Sequence, residues 1–163
     1  MSYVEELDNC KNFGDILDVV RKTVKKSLGQ GRVGLMLYLA DLPPNIGAFH
    51  PVGTNVIVVN DTLLKATARS VDSTRQLNSF VYSILLHEYL HSIGYLNEKE
   101  VGRLVQKVSA ETLGNDHPAT RMATEGPRSL LPEPIPIEGQ VQEDPLGFQL
   151  VKDFDRSNQA YIG

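Results

Sequence analysis

The chain has 163 residues, 41% of them hydrophobic and 22% charged, with a formal net charge of −4. That length suits one compact domain with room for an appended segment, not a second large core, and the composition is that of an ordinary globular protein. The acidic balance offers no global attraction to nucleic acid or anionic membranes, and a single cysteine, Cys10, excludes an intramolecular disulfide framework.

Residues 1–9 are short, polar and acidic, without the apolar run of a signal peptide, and the longest apolar stretch, 80–86, is too short to cross a bilayer. A cytoplasmic protein with no membrane or nucleic-acid partner is expected. The first clear element is a helix over 12–28, where Ile16, Leu17, Val20, Val24 and Leu28 recur at helical spacing and Gly29 follows. Arg21, Lys22, Lys25 and Lys26 make its other face a solvated one. The apolar run 34–39 reads as a strand, and 53–60 (GTNVIVVN) as a second, rich in β-branched residues. Asp61 is placed to cap a short helix over 62–68. A long helix is predicted over 73–93, opened by Ser73 with Gln76 at capping-box spacing and closed by Gly94. Its middle is apolar almost all round, as in a buried central helix. Asn97, with Glu100 three residues on, opens another helix to about Leu113, ended by Gly114 and Pro118.

From Ala123 the character changes. Five of the nine prolines fall at 127, 132, 134, 136 and 145, and the run 130–137 (LLPEPIPI) suits an extended or polyproline conformation. The expected organisation is an N-terminal segment, 1–11, a main folded domain, 12–123, and a proline-rich tail, 124–163, that is an appendage rather than core.

The chemistry is concentrated in His87-Glu88-Tyr89-Leu90-His91. Residues four apart on a helix lie about 40° apart around its axis and one turn along it, so both imidazoles can reach one ion. Zinc takes imidazole nitrogen and keeps a position for water in catalytic sites. Glu88, beside the first ligand, can take that water's proton and pass it to a leaving amine. Two histidines satisfied by ordinary partners are the alternative, but unpaired polar groups on so apolar a helix are costly.

A third protein ligand is needed. In the pattern HExxHxxGxxH or HExxHxxGxxD, Gly94 fits, but the ligand position holds Asn97, better explained as a helix cap. Glu111 is the preferred candidate because it falls on the apolar face formed by Val101, Leu104, Val105 and Val108, where a carboxylate needs a compensating partner. Glu98, Glu100, Asn97 and His117 are the alternatives. His117, Arg121 and Tyr95 are candidates to stabilise a tetrahedral oxyanion, His117 entering as a second catalytic residue beside Glu88. Tyr82 and Tyr89 read as packing residues, and His50, between Phe49 and Pro51, has no evident partner.

HEYLH followed by Glu111 after nineteen residues resembles the gluzincin zinc peptidases, in which a glutamate on a second helix completes the site. The small size, the strand GTNVIVVN and the stretch FVYSILLHEYLHSIGYLNEKEV are most similar to the minigluzincins, the minimal members of that clan. The likeness spans about residues 53–118. It implies an α+β zincin fold, with a small twisted sheet, an active-site helix and a glutamate helix. It also implies His87, His91 and Glu111 as Zn²⁺ ligands, Glu88 as base, and a peptide or protein substrate. Where an aspartate usually supports the second histidine, this chain has Asn115, with Asp116 as a substitute. The strand over 52–60 would be the edge that pairs with an extended substrate, unless it is interior.

Minigluzincins resemble latent zymogens, which makes both terminal segments candidates to cover the cleft, with Asp153, Asp155 or Cys10 at the water position. The same segments are candidates for a homodimer contact. Competing readings are a zinc hydrolase of a non-peptide bond and a non-catalytic metal-binding module. The glutamate beside the first histidine speaks against the latter, since structural zinc sites close all four positions.

Overall fold

Asn12 opens the first long helix, its side chain accepting from the Asp15 N–H, and Gly29 closes it at φ 69°, a left-handed conformation that glycine adopts without strain. This helix, α2 (Phe13–Leu28), follows a short α1 (Tyr3–Asp8). The computed structural model describes residues 2–126 and 148–155. Beyond α2 come β1 (Met36–Ala40), β2 (Ala48–Phe49), β3 (Val56–Asn60), α3 (Asp61–Ser70), α4 (Thr74–Ser92), α5 (Glu98–Leu113), α6 (Pro118–Glu125) and β4 (Gln149–Val151). Among the described residues the fold is α+β, six helices with a mixed four-stranded sheet.

The sheet runs β2-β3-β1-β4, with β1 and β3 parallel and both outer strands antiparallel to their neighbours. The segment 52–60 is therefore interior where it is a strand, and the edge role passes to β2. Asn60 holds that edge in place. Its amide group donates to the carbonyls of Leu42, Pro43 and Ile46, and its Oδ1 caps α3 through the Leu63 N–H. Asn60, rather than Asp61, is thus the N-cap of that helix.

α4 is the central element, as its all-round apolarity predicts. Phe80, Tyr82, Leu85, Leu86, Tyr89 and Leu90 are essentially inaccessible. Burying a side chain of this kind stabilises by about 1.5–3 kcal/mol each. Polar ties fix its position: Tyr82 shares a 2.9 Å hydrogen bond with Thr23 of α2, and Asn78 donates to the carbonyls of Leu7 and Cys10. At the other end Arg32 donates from Nη1 to the Ser92 carbonyl, a cation placed on the negative end of the helix.

Both termini contribute to the core, which the division by composition did not anticipate. Leu7 of α1 is fully buried and Cys10 nearly so, its thiol donating to the Glu6 carbonyl. β4 pairs with β1, Phe154 is 2% exposed, and the Asp155 carboxylate accepts from the Leu35 N–H and from Arg21. Residues 148–155 are part of the fold because their apolar side chains and backbone groups complete the open edge of β1. The polyproline reading of residues 130–137 lies outside the described residues. No helix among them is long and apolar enough to cross a membrane.

Candidate metal centre

His87 and His91 occupy the last two turns of α4, on the face that turns away from the core. Their Nε2 atoms lie 3.2 Å apart. Glu98, the first residue of α5, closes a triangle with them: one carboxylate oxygen is 2.6 Å from His91 Nε2 and the other 3.1 Å from His87 Nε2. The three side chains form a group that could hold a metal ion.

Glu98 reaches this place because residues 93–97 reverse the chain, with Gly94 at φ 118°. Asn97 caps the new helix by accepting from the Glu100 N–H, so Asn97 and Glu100 are engaged in capping rather than in the triangle. A short connection sets the start of α5, not its end, beside His91. Glu111 lies thirteen residues further along α5, which at 1.5 Å per residue is about 20 Å from Glu98. It is exposed and accepts from the Ser27 hydroxyl of α2 at 2.6 Å. The carboxylate that stands beside the two histidines is thus that of Glu98, which shares a helix face with Val101 and Val105, and not that of Glu111.

The same geometry removes His117. It caps α6, with Nδ1 accepting from the Ala119 N–H, beside Arg75 and Asp8 at the opposite end of α4. Burial and then Arg75 lower its pKa to about 4, Asp8 opposing. Arg121 is an exposed residue of α6. Asn115 and Asp116 are exposed beyond the far end of α5, so neither supports His91. That support comes from Tyr95, whose carbonyl lies 2.8 Å from His91 Nδ1 and whose hydroxyl donates to Gln30.

The Tyr95 carbonyl decides the tautomer. A carbonyl only accepts, so His91 must carry its proton on Nδ1, and in the neutral ring Nε2 is a bare lone pair. That lone pair faces a carboxylate oxygen at 2.6 Å and a second imidazole nitrogen at 3.2 Å. Two imidazoles and a carboxylate converge, and a positive charge among them, a proton on one of the nitrogens or a metal ion, satisfies the contact. A separation of 3.2 Å also suits two nitrogens sharing one ion at about 2.0–2.1 Å and a near-tetrahedral angle. Burial lowers the pKa of His87, with Glu98 opposing, which favours the neutral ring that metal binding requires.

Glu88 is not one of the three clustered groups but stands close to them. It is only 6% exposed, and burial raises its carboxyl to about 7, with His91 opposing and Glu98 reinforcing. Glu88, His91 and Glu98 line a cavity of about 250 Å³ whose other wall is Ala48, Phe49, His50 and Val52, with Leu96 at the rim. β2 therefore lies directly across from the triangle. His50 is the residue here for which the sequence offered no partner. Its Nδ1 is 2.7 Å from the Val56 carbonyl, a contact set by the loop between β2 and β3 and invisible to any periodicity.

Asp155 and β4 stand on the β1 side of the sheet, the edge opposite β2, and Cys10 lies under α1. Cys10 and Asp155 thus have fixed partners away from the triangle, and Asp153 follows β4 on that same side. No protein-family model, no curated protein and no solved structure matches this chain.

Proposed function

We propose that the chain is a metal-dependent peptidase, most simply a zinc enzyme, with His87, His91 and Glu98 as ligands and Glu88 as general base. The observation that carries this reading is the convergence of the His87 and His91 Nε2 atoms with the Glu98 carboxylate, all within ligand distance of one another. Two imidazoles and one carboxylate are a donor set used by catalytic zinc, which keeps a further position open. A divalent ion there would polarise a carbonyl and make a coordinated water acidic.

The chain's own groups supply the rest. Glu88 is raised towards neutrality by burial, a suitable range for a base that must both take and return a proton. It removes a proton from the attacking water as the new C–O bond forms, and delivers it to the amine as the C–N bond breaks. β2, at the end of the sheet and along the cavity, offers backbone groups to an extended chain, which favours a peptide over a compact ester. Val52 and Leu96, 73% and 59% exposed at the cavity, favour an apolar substrate side chain.

Load the purified protein with zinc, measure bound metal by mass spectrometry, and assay a mixed peptide library. One ion per chain and cleavage near apolar residues are expected. Glu88→Gln should keep the ion and lose about 10²–10⁴-fold in turnover. Failure to take up metal, or full activity in Glu88→Gln, would sink the assignment.

A further inference from the structure

The geometry points to His50 as the residue that reads a backbone N–H of the substrate, making the site selective for amide over ester linkages. This rests on the peptidase reading above and names what that site recognises. His50 directly follows β2 and lines the same cavity as Glu88, His91 and Glu98, from the opposite wall. Its Nδ1 lies 2.7 Å from the Val56 carbonyl, and because that oxygen can only accept, the ring proton sits on Nδ1. Nε2 of the neutral ring is then an acceptor, and it has no protein partner among the described residues.

The argument parallels that for His91 and reaches a different ligand. At His91 the second ring nitrogen faces a carboxylate and another imidazole, a set that suits a cation. His50 lines an open cavity with Nε2 unengaged by the described residues, which suits a hydrogen-bond donor from a bound chain. An extended peptide lying along β2 presents backbone N–H groups, and His50 continues the row of acceptors one residue past the strand. The loop holds the ring ready: Thr54 donates from its hydroxyl to the Pro51 carbonyl and accepts from the Val56 N–H, fixing the turn that carries the Val56 carbonyl back to His50. A fixed acceptor loses its partner when the N–H is replaced by an ester oxygen, and that oxygen then faces the nitrogen with repulsion. His50 is a specificity-determining residue and takes no part in proton transfer.

The test uses the zinc-loaded full chain and a peptide it cleaves, made as a set in which each non-scissile amide flanking the cleavage site is replaced singly by an ester. With the unaltered protein one position should lose about 10- to 100-fold in kcat/KM. In His50→Ala that one loss should vanish while losses elsewhere persist, and metal content should stay at one ion per chain. His50→Gln, which retains an acceptor oxygen and more of the loop's packing, should restore part of the discrimination. An ester penalty unchanged at every position in both variants would overturn the role of His50 and leave the peptidase intact. Absence of cleavage of any peptide by the zinc-loaded unaltered protein would instead overturn the peptidase reading, and this role with it.

Discussion

The two ends of α4 each hold histidine in an unusual setting, and their contrast shows what makes a histidine a ligand. At the C-terminal end, two part-exposed rings and a carboxylate converge beside an open cavity. At the N-terminal end, His117 is alone, 4% exposed, with Nδ1 committed to a helix cap and Nε2 buried without a partner. Burial is deeper at the second site, yet only the first brings several ligand-type side chains together. An isolated buried imidazole remains neutral and costs some polar desolvation, whereas two imidazoles gathered round a carboxylate attract a cation.

The sharpest way to break this comparison is to remove the carboxylate from each candidate position. Glu98→Ala should weaken zinc binding by more than the 10- to 100-fold typical of an outer partner, read by competition with a chromogenic chelator. Glu111→Ala should leave zinc affinity within about threefold, costing only its bond from Ser27. Equal losses in the two would restore Glu111 to the site.

The other end can be tested by pH. Because His117 has a folded pKa near 4, below the ordinary 6.5, the unfolded chain binds a proton between those values that the folded chain refuses. Stability should therefore be flat above about pH 6.5 and fall as the pH drops towards 4, by up to about 2–3 kcal/mol. His117→Asn keeps a capping side chain and removes the titration, so urea midpoints should lose this component of their acid slope. An identical slope in the variant would assign the effect to other groups.

A smaller effect joins the backbone to the site. Gly94→Ala forces a side chain onto φ 118° and should destabilise the fold by about 1 kcal/mol. Since Gly94 precedes the Tyr95 carbonyl that orients His91, a modest loss of zinc affinity should accompany it. Thermal melts with and without zinc would show both, as a lower midpoint and a smaller ligand-induced shift.

Sequence alone was enough to locate α2, α4 and α5, because α2 and α5 carry an apolar stripe, α4 is apolar almost all round, and each has an N-capping Asn or Ser and a glycine at or just past its end. It was enough, too, to place His87 and His91 on one helix face and to single out Glu88, since spacing within a helix is a local property. The third acidic group was not legible in that way. An apolar stripe gives the face on which Glu111 lies but not the distance along the axis, and the turn at residues 93–97 awarded the position to Glu98. Composition likewise separated residues 124–163 from the domain, yet β4 and Phe154 return to the core, because the exposed edge of β1 is satisfied by whichever strand reaches it. The partner of His50 depended on a loop between two strands. Local chemistry is written in neighbouring residues, whereas which helix end, strand edge or loop faces a given side chain is decided only when the elements pack.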